Sequence, residues 1–170
     1  MIQQIGGKMG VNFLLGEKMS KMPIKYELAE DLQKAVNEIA VMLFPHVRID
    51  SVVCMRSFGS SSRGTIARCH ALGKAMQLAL GRKGFYAIEV ISKRFDKLSE
   101  IDKIKTLIHE LMHIPKSFGG GFKYHNWVCE ENVEIEYERY VNMKRQSGVG
   151  LGGEIKERED DLKKIKKSWW

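Results

Sequence analysis

Residues 99–117 read SEIDKIKTLIHELMHIPKS, and this stretch decides the fold. Ser99 with Asp102 three positions on is a weak form of the capping box, which satisfies amides left unpaired in a helix's first turn. Ile101, Ile104, Leu107, Ile108, Leu111 and Met112 then fall on one arc at helical spacing, while Lys103, Thr106, His109, Glu110 and His113 occupy the other. Pro115 ends the helix, because the residue before a proline resists helical backbone angles. The spacing predicts an amphipathic helix with both histidines on the polar flank of its buried arc.

His109-Glu110-Leu111-Met112-His113 fits the pattern HExxH. Residues four apart on a helix share a face about one turn apart, so two imidazoles can bind one tetrahedral zinc ion. The glutamate between them can reach a water activated by that zinc and take its proton as general base. Proline and glycines break the chain just beyond the second histidine, which lets the backbone swing a third ligand back to the metal. His125, twelve positions past His113 and beyond Gly119-Gly120-Gly121, is the leading third ligand. Glu130, Glu131 and Glu134 are the alternatives, in a two-histidine, one-glutamate arrangement. As early residues of a following helix they equally suit its solvated, dipole-matched first turns. The metzincin spacing HExxHxxGxxH is excluded, because its third metal position falls on Gly119.

Outward from this helix, residues 26–43 carry Leu28, Leu32, Ala35, Val36, Ile39, Ala40 and Leu43 at helical spacing and read as a helix closed by Pro45. Residues 47–58 are β-branched without a helical stripe and read as a strand, followed by a loop at 59–64. Residues 65–72 read as a second strand paired with the first, 74–80 as a short helical turn, and 85–91 as a firmer strand. The three glycines at 119–121 are expected to form a flexible loop, and a long helix follows over 127–145. His46, after a proline at a helix end, reads as a surface or capping residue. His70 reads as structural beside Arg68, with an active-site role kept open.

At 170 residues, with 44% hydrophobic and 29% charged, the chain suits one soluble globular domain. No apolar run reaches the roughly 18–20 residues of a membrane span, and the short apolar patch at 11–15 is too brief for a secretory signal. Cys54, Cys69 and Cys129 lack CxxC spacing and fit small buried residues in a reducing cytoplasm. The expected organisation is a loose leader over 1–25, a catalytic domain over 26–147, and a Gly-rich hinge with a charged terminal helix over 148–170. The net charge of +7 draws on Lys163, Lys164, Lys166 and Lys167 in that tail, which reads as a solvated face or a contact for nucleic acid. Trp169-Trp170 reads as a packing or partner contact.

Residues 60–69 (SSSRGTIARC), 85–91 (FYAIEVI), 94–98 (RFDKL) and 107–118 (LIHELMHIPKSF) resemble the metallopeptidases of archaea and of their viruses and phages, the phage metallopeptidase domain. The likeness runs over about 27–145, and the leucine-isoleucine entry and isoleucine-proline exit make it far more specific than HExxH alone. It implies an α+β, minimal zincin-like domain, with a small, mostly antiparallel sheet packed on the active-site helix and flanking helices. It also implies a zinc site held by His109, His113 and His125, Glu110 as base, and a peptidase acting on polypeptide, which the cysteine usage places in the cytoplasm. One departure is Phe122-Lys123-Tyr124 before His125, where the family has a leucine, a basic residue and a proline.

On the enzyme reading, a substrate strand lies along a sheet edge, taken as the one at 85–91. Tyr124, Tyr86, Arg68 and His70 are the candidates to stabilise the oxyanion. Two rival readings share these residues. A SprT-like protease of DNA-bound proteins would use the basic tail, although its zinc ribbon is missing and Asn126 rather than glycine follows His125. A catalytically inactive zincin-fold binding protein would hold no stoichiometric metal, or metal with no open position.

Overall fold

The computed structural model describes residues 23–147. The hinge, the basic tail, Trp169-Trp170 and nearly all of the leader lie outside these residues. Strands β1 (Lys25–Leu28), β2 (Val52–Phe58), β3 (Ala67–Ala71) and β4 (Tyr86–Ile91) form one sheet in the order β1-β2-β4-β3. β1 runs antiparallel to β2 and β3 antiparallel to β4, while the central β2–β4 pair is parallel. The long helices α1 (Glu30–Leu43), α4 (Glu100–Met112) and α5 (Glu130–Gln146) pack on one another, and two short helices, α2 (Lys74–Ala79) and α3 (Ser92–Phe95), flank β4 in sequence. This is the α+β architecture expected, a mixed four-strand sheet packed with helices. Among the described residues no helix is long and apolar enough to cross a membrane.

Strand alternation sends Val52, Cys54, Tyr86, Ile88 and Val90 into the core. There they join Val36, Ile39 and Ala40 of α1 and Leu107, Ile108 and Leu111 of α4, and all of these are at most 4% exposed. Each large apolar side chain so buried contributes about 1.5–3 kcal/mol. Helix α4 is therefore held by one face, and the other can carry polar groups.

Several boundaries differ from the sequence reading. Residues 26–28 belong to β1 rather than to the first helix, and Leu28, expected on its stripe, is 75% exposed. The missed signal is the period-two alternation of Ile24, Tyr26 and Leu28 with Lys25 and Glu27. Beyond β1 the side chain of Gln33 substitutes for a strand, donating to Val52 O at 3.1 Å and accepting from Cys54 N at 2.8 Å. Residues 49–51 form a 3-10 turn, so β2 starts at Val52. The second expected strand does form, at 67–71, but it pairs with β4 and not with β2. Both edges of β2 are taken, one by β1 and Gln33 and the other by β4. Strand β4 is therefore interior, and the free edge that a substrate strand could join belongs to β3. The last helix begins at Glu130, because the amides of Trp127 and Val128 are drawn back to Tyr124 O in a preceding turn.

Helix α4 starts as expected: Ser99 Oγ accepts from Asp102 N at 3.2 Å and lies 2.6 Å from Asp102 Oδ2. Ser99→Ala should cost about 1 kcal/mol, read as a lower urea midpoint at unchanged slope, and should leave metal affinity intact. A metal affinity that falls with stability would show that the far end of α4 depends on its cap.

Candidate metal centre

His109 projects from the last turn of α4, and His113 caps that helix, its amide bonded to Glu110 O. Their Nε2 atoms lie 3.3 Å apart. A tetrahedral ion with metal–nitrogen bonds of about 2.0–2.1 Å needs an N–N edge of about 3.3–3.4 Å, so the pair has the spacing of two ligands on one ion. His125 completes the group, with one ligand atom from each of the three residues all within 4.8 Å of one another. Its ring centroid is 4.8 Å from that of His113 and 5.6 Å from that of His109. Three imidazoles open to a cleft on one side fit a divalent transition-metal ion better than an oxygen-seeking calcium or magnesium.

The return of the chain to His125 is built, not loose. Lys123 N donates to His113 O at 2.8 Å, and His113 Nδ1 donates to Lys123 O at 2.8 Å. The second bond sets the tautomer that leaves the Nε2 lone pair facing the other two rings. The glycine loop, expected to be flexible, is pinned at every glycine. Gln77 Nε2 donates to Gly119 O at 3.0 Å, Gly120 N donates to the Tyr86 hydroxyl at 3.0 Å, and that hydroxyl donates to Gly121 O at 3.0 Å. Gly120, at φ +84°, cannot be replaced, since an added Cβ would sit 2.2 Å from Leu72 O.

Glu110 is only 6% exposed and faces β3. The flanking bonds Ile91 N to Ile66 O and Leu72 N to Phe85 O fix the ladder, so residues 66, 68, 70 and 72 pair toward β4. The backbone groups of Ala67, Cys69 and Ala71 consequently face the open edge, and the Cys69 amide hydrogen-bonds the Glu110 carboxylate. Burial raises the Glu110 pKa to about 7, the Cys69 bond opposing it. Burial also lowers His109 to about 4, helped by His113 and His125, and depresses His113.

The other candidates have distinct places. Arg68 and His70 leave the strand on the face opposite to Cys69, where His70 Nε2 lies 2.7 Å and Arg68 3.4 Å from Glu89. Tyr86 is buried beneath the glycine loop. Tyr124, beside His125, is 80% exposed. Of the alternative third ligands, Glu134 pairs with Lys105, and Glu130 and Glu131 are exposed in the first turn of α5. His46 ties the helix exit to Ile114 O at 3.2 Å. The cysteines are free, and burial lifts the Cys54 and Cys69 thiols to about 12. Three contributors escaped the sequence reading: the Cys69 amide, the Lys123 carbonyl and Glu89. Only Glu89 left a signal, a charge in the middle of an apolar strand.

Two adjoining cavities, of about 560 and 530 Å³, share Thr65, Ala67, His109 and Glu110 and make a groove along β3. The buried carboxylate has a measurable consequence in metal-free protein. Because folding raises the Glu110 pKa from 4.5 to about 7, the folded state holds more protons across that window, and stability is lost as pH rises through it. Chelator-treated Glu110→Gln should therefore exceed wild type by on the order of 3 kcal/mol at pH 8, with the gain absent at pH 4.5. Equal gains at both values would contradict this burial.

A family model described as "Putative phage metallopeptidase" matches residues 24–149. Comparisons with curated proteins and with solved structures return no match. Since that match takes in the sheet, the HExxH helix and the histidine that returns to it, the chain belongs to the phage metallopeptidase family.

Proposed function

We propose that the protein is a zinc-dependent peptidase that hydrolyses polypeptide, with His109, His113 and His125 as metal ligands and Glu110 as general base. The observation that carries this reading is the convergence of three ring nitrogens within 4.8 Å, with the buried carboxylate of Glu110 next in sequence to the first of them. Zinc, when bound, supplies a Lewis acid that lowers the pKa of a coordinated water to about 7 and polarises the scissile carbonyl. The rest falls to the chain. Glu110, oriented by the Cys69 amide, takes a proton from the attacking water and returns it to the leaving amine. An extended substrate adds to the open edge of β3, pairing with the outward backbone groups of Ala67 and Ala71 on either side of the Cys69 amide that Glu110 occupies. The Tyr124 hydroxyl, on the groove wall, donates to the developing oxyanion, while the Arg68 and His70 head groups remain on Glu89.

Glu110→Gln should keep one equivalent of metal by elemental analysis and cleave unfolded casein about 10²- to 10⁴-fold more slowly, with a chelator abolishing cleavage by wild type. Cleavage at the wild-type rate by that variant would falsify the mechanism. His125→Ala should lose the metal and Glu134→Gln should retain it; the reverse pattern reassigns the third ligand. Wild-type protein purified without chelator and still lacking stoichiometric metal would favour a binding protein over an enzyme.

A further inference from the structure

Glu89 is the most buried carboxylate among the described residues, 1% exposed, and the proposed chemistry does not use it. It lies between Ile88 and Val90, whose side chains enter the core, so its own side chain leaves the opposite face of β4. Burial works to raise its pKa, but the Ser57 hydroxyl beside it, His70 and Arg68 more than offset this and hold it below the usual carboxylate range. Glu89 is thus an anion enclosed by cationic and polar partners. Two of them, Arg68 and His70, stand on either side of Cys69 on the edge strand.

We infer that Glu89 is a positioning residue: it clamps β3 in register, so that the Cys69 amide is held against Glu110. This inference rests on the reading of Glu110 as the base. β3 spans Ala67–Ala71 and has one strand neighbour, and its outer edge must stay unpaired to receive a substrate, so it cannot be braced from that side. A slip of one residue would bring a neighbouring residue's amide to the place of Cys69 and turn the Arg68 and His70 side chains onto the face that Cys69 occupies beside Glu110. Bonds from residues 68 and 70 to one buried anion oppose such a slip, because any shift strands the carboxylate without partners.

The test compares Glu89→Gln with wild type in the zinc-loaded full-length protein. Expected are unchanged metal stoichiometry, kcat on casein or a peptide lowered about 10- to 100-fold, and deuterium exchange of the Cys69 amide accelerated well beyond that of the β2 and β4 amides. A purely structural role would instead lower Tm and speed exchange across the whole sheet, leaving kcat per metal-loaded molecule at the wild-type value, and that result overturns the inference. If Glu89→Gln fails to fold, His70→Ala, which removes the shorter contact from a half-exposed side chain, must show the same selective exchange and loss of kcat. Wild-type values in His70→Ala overturn the clamp. Should wild type cleave nothing, the peptidase reading fails on its own, and the exchange at Cys69 still decides whether Glu89 holds the strand.

Discussion

Two hydrogen bonds between His113 and Lys123, one through the backbone and one through the imidazole, are the constraint on which the centre depends. A helix can supply two histidines to one ion by itself, because their spacing is local. A third ligand from outside the helix must come back over a distance set by the loop, and each ångström of slack weakens the site. Here the residue that ends α4 also receives the returning chain, so His125 is placed two residues beyond a fixed point. Tyr86 and Gln77 then hold the glycines from beneath, and the close approach of Leu72 O makes Gly120 obligatory. Conformational freedom in the sequence is thus used to reach an unusual backbone path, not to move.

The centre joins two bodies held by different forces. Helix α4 is fixed by apolar burial of Leu107, Ile108 and Leu111, while β3 is fixed by its ladder to β4 and by the Arg68 and His70 side chains on Glu89. Glu110 spans the gap between them. Burial disfavours the charged forms of His109 and His113 and favours a protonated Glu110. A dication reverses the preference for Glu110, since a nearby positive charge favours the ionised carboxylate. On the proposed mechanism, metal binding and readiness of Glu110 as base are therefore coupled.

What could be read from sequence follows the range of the interactions involved. The helix at 99–112, its cap at Ser99 and the pair His109/His113 depend on neighbours within a turn or two, and all were legible. His125 was legible because glycine and proline mark a chain reversal. The sequence leaves Glu130, Glu131 and Glu134 open beside it, while the structure gathers His125 with the helical pair and sets Glu134 against Lys105. Tertiary pairing was the blind spot. Nothing local distinguishes a partner on β2 from one on β4, and the pairing of β3 with β4, which makes β4 interior, is set by contacts distant in sequence. Short β1 was absorbed into a helix stripe, because Leu28 suits both periods. The Tyr86 hydroxyl is visible in the sequence, but its role as loop anchor depends on residues more than thirty positions away.

An exposed strand edge is ordinarily a liability, because its unpaired backbone groups invite any passing chain. β3 answers this in a way tied to its use. The strand is short, and the outward amide at its middle, on Cys69, is already taken by Glu110. A strand that adds to this edge meets donors at Ala67 and Ala71 and an occupied donor between them. Its backbone therefore pairs on both sides of a gap, and in that gap the peptide group faces a carboxylate instead of an amide. On the peptidase reading this gap is the scissile position. Regular strand addition gives affinity at the flanks, and the one missing ladder bond marks the place where the chain is left to the base.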